Sequence, residues 1–63
     1  MIYKFTIGQR VKVAIEDRWL GDYFKYGCVA KYNYILNGKS TYDIKISRDE
    51  TLYAIREDRV SEC

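Results

Sequence analysis

The chain has 63 residues, with eleven basic and nine acidic side chains interspersed for a net charge of +2, and it contains neither histidine nor proline. Charge mixed in this way leaves no single-signed block to draw a polyanion or a membrane surface. At 63 residues there is room for a single domain, 1–63, and a fold of this size buries only about 60% of its unfolded surface, so the core must be dense.

Hydrophobic residues make up 48% of the chain and aromatics 16%, seven of them tyrosine, which excludes a disordered tail and suits pleated, half-buried strands. Lys4 and Arg10 interrupt the opening residues, so neither a membrane-spanning helix nor a signal peptide is expected, and a cytoplasmic location is the default. Cys28 and Cys63 are too few and too separated for a disulfide framework, and without histidine they make no metal site, so reduced thiols and no metal or other cofactor are expected.

Along the chain, Phe5 and Ile7 are expected to cover one end of the core, and Gly8 to turn the chain into the first strand. Residues 10–15 alternate, with Val11, Val13 and Ile15 on one side and Arg10, Lys12 and Ala14 on the other, the pattern of a half-buried strand. Residues 16–26 lose that alternation, carry a mid-segment glycine and hold four aromatics, and they read as a long loop. Loops of this length in small domains tend to be functional.

Residues 27–35 and 40–46 read as a hairpin around Asn37-Gly38. A two-residue turn would pair Leu36 with Lys39 and bury Lys31; a three-residue loop over 36–38 pairs Tyr32 with Tyr42 and Ala30 with Ile44 instead. The second register keeps Lys31 opposite Asp43 on the outer face, and puts Cys28, Ala30, Tyr32 and Tyr34 on the core face with Tyr42, Ile44 and Ile46. Beyond a polar turn at 47–51, residues 52–56 form a short strand with Tyr53 and Ile55 inward, and a helical turn at 57–59 returns Val60 to the core.

This order of elements resembles the Src-homology-3-like small barrels, closest to their Tudor and KOW-type branch. The residues that carry the resemblance are 7–13 (IGQRVKV), 26–29 (YGCV), 42–46 (YDIKI), and Ile55 with Val60. It implies an all-β fold: a small, five-stranded, strongly bent antiparallel barrel with one short helical turn near the C-terminus. It also implies an adaptor, since such barrels bind peptides, methylated side chains, nucleic acids or sister subunits. Glu16-Asp17-Arg18-Trp19 is similar to one half of a methyl-reading cage, whereas Ser47-Arg48-Asp49-Glu50 replaces the acidic aromatic turn of the other half.

The expected binding residues are Trp19, Tyr23, Phe24 and Tyr26 with the acidic Asp17 and Asp22, joined by Tyr34 near the hairpin tip. They point to a non-catalytic protein-protein interaction domain, a small regulator or inhibitor of the kind phages and mobile elements encode. The alternative is a nucleic-acid face built from Lys31, Lys39, Lys45, Arg48 and Arg56. A structural homo-oligomer subunit is the third reading, and no membrane partner is expected. Catalysis is not expected either, because no histidine is available as a base, the serines have no visible activating neighbour, and the glycines are too scattered for a phosphate loop.

Overall fold

The computed structural model describes residues 3–63, which form one antiparallel sheet of five strands. These are β1 (Arg10–Asp17), β2 (Gly21–Leu36), β3 (Lys39–Lys45), β4 (Thr51–Arg56) and β5 (Val60–Glu62), with a 3-10 turn at Glu57–Arg59 between the last two. The spatial order is β4-β3-β2-β1-β5.

The 16-residue β2 is shared between two partners. Its first half pairs with β1, from Asp17 opposite Gly21 to Arg10 opposite Cys28, and its second half pairs with β3, from Cys28 opposite Lys45 to Leu36 opposite Lys39. Where the partners exchange, a Cβ on Gly27 would lie 2.4 Å from the backbone oxygen of Lys45, so the crossing tolerates no side chain there.

Among the described residues no ladder joins β4 to β5, yet only the 3-10 turn separates these two edge strands in sequence. In a flat sheet the edges would stand about 19 Å apart, while a three-residue 3-10 turn rises only about 6 Å. The sheet therefore curls until its edges approach, and Arg59 of the turn reaches Glu16 of β1 at 3.1 Å.

Inside the curl lie Phe5, Val11, Val13, Val29, Tyr42, Ile44 and Val60, flanked by the half-buried Tyr3, Ile15, Ile46, Leu52 and Ile55. The N-terminal arm is bound by Tyr42: its hydroxyl accepts the amides of Lys4 (2.8 Å) and Phe5 (3.1 Å) and donates to Glu57 (2.8 Å). Tyr3 stacks on Tyr32 with ring centroids 4.3 Å apart, and both meet Tyr42 edge-on.

Several expectations hold. Strand alternation over 10–15 buries Val11 and Val13; Gly8 turns at φ 91°; the helical turn at 57–59 brings Val60 into the core. Others are corrected. Residues 16–26 are not a loop: β1 runs to Asp17, only residues 18–20 turn, and β2 starts at Gly21. The tip of the β2–β3 hairpin is the two-residue Asn37-Gly38 turn, both residues at positive φ (50° and 76°), and not a three-residue loop.

A bulge between Tyr32 and Ile35 then shifts the ladder by one residue, so Lys31 still faces Asp43 and Tyr32 still faces Tyr42. The turn chemistry wins at the tip, the avoidance of a buried lysine wins below it, and the bulge reconciles them. A second shift between Val29 and Lys31 sets Val29, not Ala30, opposite Ile44. Ala30 and Tyr34 are consequently exposed and Cys28 half-buried, whereas Tyr32, at 36% exposure, keeps its ring against Tyr3 and Tyr42; Ile7 also faces solvent.

Asp43 is only 3% exposed and not on an outer face. Its carboxylate accepts the Asn33 side-chain amide at 2.7 Å and the Ala54 backbone N–H at 3.0 Å. Ala54 sits at φ 52° in the β4 bulge that separates the Tyr42–Ile55 pair from the Ile44–Leu52 pair. That bulge leaves Leu52 and Ile55 against the core and turns Tyr53, expected inward, out to 71% exposure.

Substituting Gly27→Ala tests the crossing. A less flexible unfolded chain favours the alanine by about 0.4–1 kcal/mol, but the clash with a backbone oxygen that cannot rotate away costs about 1–3 kcal/mol. The variant is therefore expected to unfold at lower urea concentration than wild type; an equal or higher midpoint would show that β2 crosses differently.

Candidate functional site

The β1–β2 hairpin carries most of the aromatic residues singled out in the sequence, and alternation sorts them. On β2, Tyr23 and Lys25 pair with Ile15 and Val13 on the core side, while Asp22, Phe24 and Tyr26 pair with Glu16, Ala14 and Lys12 on the outward side. Tyr23 is half-buried, and Lys25 is ion-paired with Glu50. The Glu50 hydrogen bond raises the Lys25 ammonium above its ordinary value.

On the outward face Phe24 is 49% and Tyr26 53% exposed, two residues apart on one strand. The Lys12 ammonium lies 4.7 Å from the centre of the Phe24 ring, a cation–π contact. Arg10 stands at the inner end of this face, and Glu16 directly opposite Asp22 at the outer end. The face thus runs from basic through aromatic to acidic.

The hairpin tip is a three-residue turn set by Asp17, whose carboxylate accepts the backbone N–H groups of Trp19 (2.7 Å) and Leu20 (2.9 Å). These two bonds, that from Leu20 first, hold the Asp17 carboxyl below its ordinary pKa. Gly21 at φ 81° closes the turn, a backbone region that other residues adopt at a cost. Asp17 is thus a structural cap of the turn. Trp19, at 90% exposure, and Leu20 project from the tip into solvent.

The structure therefore brings Phe24, Tyr26 and Asp22 together on one face with Trp19 beside it at the tip, and turns Tyr23 away from them. Tyr34 is exposed on the other hairpin, among Ile35 and Leu36. Arg10 and Lys12 belong to the face, and Leu20 to the tip, although none was singled out in the sequence. Alternation already placed Arg10 and Lys12 opposite Val11, but only the ladder shows that they lie beside Phe24 and Tyr26.

Of the five basic residues of the alternative face, three are ion-paired. Lys39 and Arg56 both converge on Asp58, at 3.7 and 3.5 Å, and Lys31 lies 3.9 Å from Asp43. Lys45 stands at the far end of β3 from Lys39, about 20 Å away along the strand. Arg48 is exposed in the turn that follows.

Two shallow depressions flank the 3-10 turn. One is lined by Lys4, Lys39, Glu57 and Asp58, the other by Ala14, Glu16, Arg56 and Arg59, and ion pairs consume most of these charges. Among the described residues no helix is long and apolar enough to cross a membrane. No family model matches the chain, and no curated protein or solved structure matches it either.

Because the folded Asp17 pKa lies below the unfolded one, the stability its turn contributes is present above the ordinary carboxylate range and is lost as pH falls through the lowered value. Titration of a labelled sample by NMR should move the Trp19 and Leu20 amide resonances with a midpoint below 3.8. A midpoint at or above that value would mean that the carboxylate does not hold the turn.

Proposed function

We propose that the chain is a non-catalytic protein-interaction domain, of a size suited to a small regulator or inhibitor, whose contact surface is the outward face and tip of the β1–β2 hairpin. The observation that carries this reading is the half-exposed pair Phe24 and Tyr26 beside a Trp19 that touches almost nothing. A domain this small gains stability from every aromatic ring it buries, at about 1.5–3 kcal/mol for a fully buried large side chain. Leaving three large rings in water forgoes that gain, and Trp and Tyr are the residue types most enriched at binding hot spots.

The fold suits such a task. The curled sheet, the long second strand shared between two partners, the 3-10 turn before the last strand and the return of β5 to β1 all support assignment to the Src-homology-3-like barrels, in an open form. In that reading the barrel body is a rigid base, and the β1–β2 hairpin is the adaptable element that projects from it.

A partner recovered with the wild-type protein from its native cells supplies the test. Trp19→Ala combined with Phe24→Ala should weaken its binding about 30-fold or more, the loss of at least one hot spot, while circular dichroism shows the variant still folded. Unchanged affinity in a folded double variant would remove the hairpin from the contact surface.

A further inference from the structure

We infer that the outward face of the β1–β2 hairpin is built to pack against the same face of a second copy of this chain, with the strands of the two copies antiparallel; this rests on the reading of that face as a contact surface. The argument comes from where the charges fall. Arg10 and Lys12 occupy one end of the face and Glu16 and Asp22 the other, with Tyr26 beside Lys12 and Phe24 between Tyr26 and Asp22. A surface with opposite charge at its two ends complements its own image when that image is reversed.

A two-fold axis can relate two such faces in two aligned ways. With the axis along the strands, β1 of one copy covers β2 of the other, and Glu16 and Asp22 of each copy crowd the same pair of the other. Like charges facing one another at an interface are strongly disfavoured. With the axis across the strands, chain direction reverses: the Glu16–Asp22 end of each copy covers the Arg10–Cys28 end of the other, and Phe24 of one faces Tyr26 of the other. The charge pattern selects this second arrangement.

A second observation points the same way. Glu16 and Asp22 are direct cross-strand partners, and like charges so placed are destabilising within a single chain. Arg59 relieves Glu16 at 3.1 Å, but among the described residues Asp22 and Arg10 have no ion-pair partner. In the reversed arrangement the unrelieved acid and the unused guanidinium come to the same end of the interface.

The contact is small. Two strands of eight residues cover about 27 Å by about 10 Å, well below what a stable specific interface buries, so the dimer forms only at high concentration and exchanges readily.

Sedimentation equilibrium of wild-type protein, of Arg10→Glu/Lys12→Glu, of Glu16→Lys/Asp22→Lys, and of an equimolar mixture of the two variants tests this over about 10 µM to about 1 mM. Arg10, Glu16 and Asp22 are exposed and Lys12 is half-buried on the outward face, and circular dichroism checks that each variant keeps its fold. The expected result is a wild-type dimer that weakens at about 1 M salt, two variants that stay monomeric because their faces carry one sign throughout, and a mixture that associates at least as strongly as wild type. A monomeric wild type at the highest concentration, or a mixture that fails to associate, would overturn self-pairing. Either outcome leaves the docking reading to be judged by the aromatic double variant and its captured partner. Dimers in both variants as strong as in wild type would overturn the use of this face.

Discussion

The hydroxyl of Tyr42 is the point on which the rest of the structure depends. It sits on β3, between β4 and β2, with no exposed surface, accepts two consecutive backbone amides from the N-terminal arm, and donates to Glu57 in the 3-10 turn. Burial raises the phenol above its ordinary pKa, so it remains a donor to Glu57 throughout the neutral range. One oxygen thus fixes three separate parts of the chain: the arm that brings Phe5 into the core, the inner strand β3, and the turn that joins the two sheet edges. Without it, Phe5 would lose its anchor and the 3-10 turn its tie to β3, and a domain of this size has few other contacts to compensate.

A second buried polar group handles the irregularities. Both strands flanking β3 bulge near Asp43, and its carboxylate receives Asn33 from one side and the Ala54 amide from the other. Ala54 adopts a left-handed conformation that costs a non-glycine residue about 1 kcal/mol or more, and a charge-assisted hydrogen bond is of the size needed to offset it. Bulges of this kind re-aim side chains. Here they turn Tyr34 and Tyr53 outward while keeping Val29, Leu52 and Ile55 against the core.

These details explain what was legible in the sequence. The strand over 10–15, the hairpin around Asn37-Gly38, the return of Val60 and the all-β class follow from alternation and turn chemistry, which are local. The β1–β2 hairpin was hidden because its protruding ribbon buries neither face fully: Tyr23 and Lys25 on one side and Phe24 and Tyr26 on the other give no contrast between apolar and polar positions. A weaker signal was present in Asp17 and Gly21 flanking three residues, the composition of a short capped turn. The bulges were not legible, since they depend on a carboxylate from a neighbouring strand. The candidate site was therefore found as a set of residues, but its division into an outward aromatic face, an inward Tyr23 and a capping Asp17 required the ladder.

The functional reading inherits this architecture, because the hairpin can offer Phe24, Tyr26 and Trp19 to a partner only if the body behind it is held rigid. Native-state amide hydrogen exchange on wild type and on Tyr42→Phe tests that dependence most directly. In wild type the Phe5 amide is expected to be protected; in Tyr42→Phe it should exchange about 10- to 100-fold faster, the loss of about 1–3 kcal/mol for a buried amide left without an acceptor, while the Lys4 amide keeps Glu57 as a second acceptor at 3.4 Å. Unchanged protection of the Phe5 amide, with unchanged global stability, would show that the phenol does not hold the fold together.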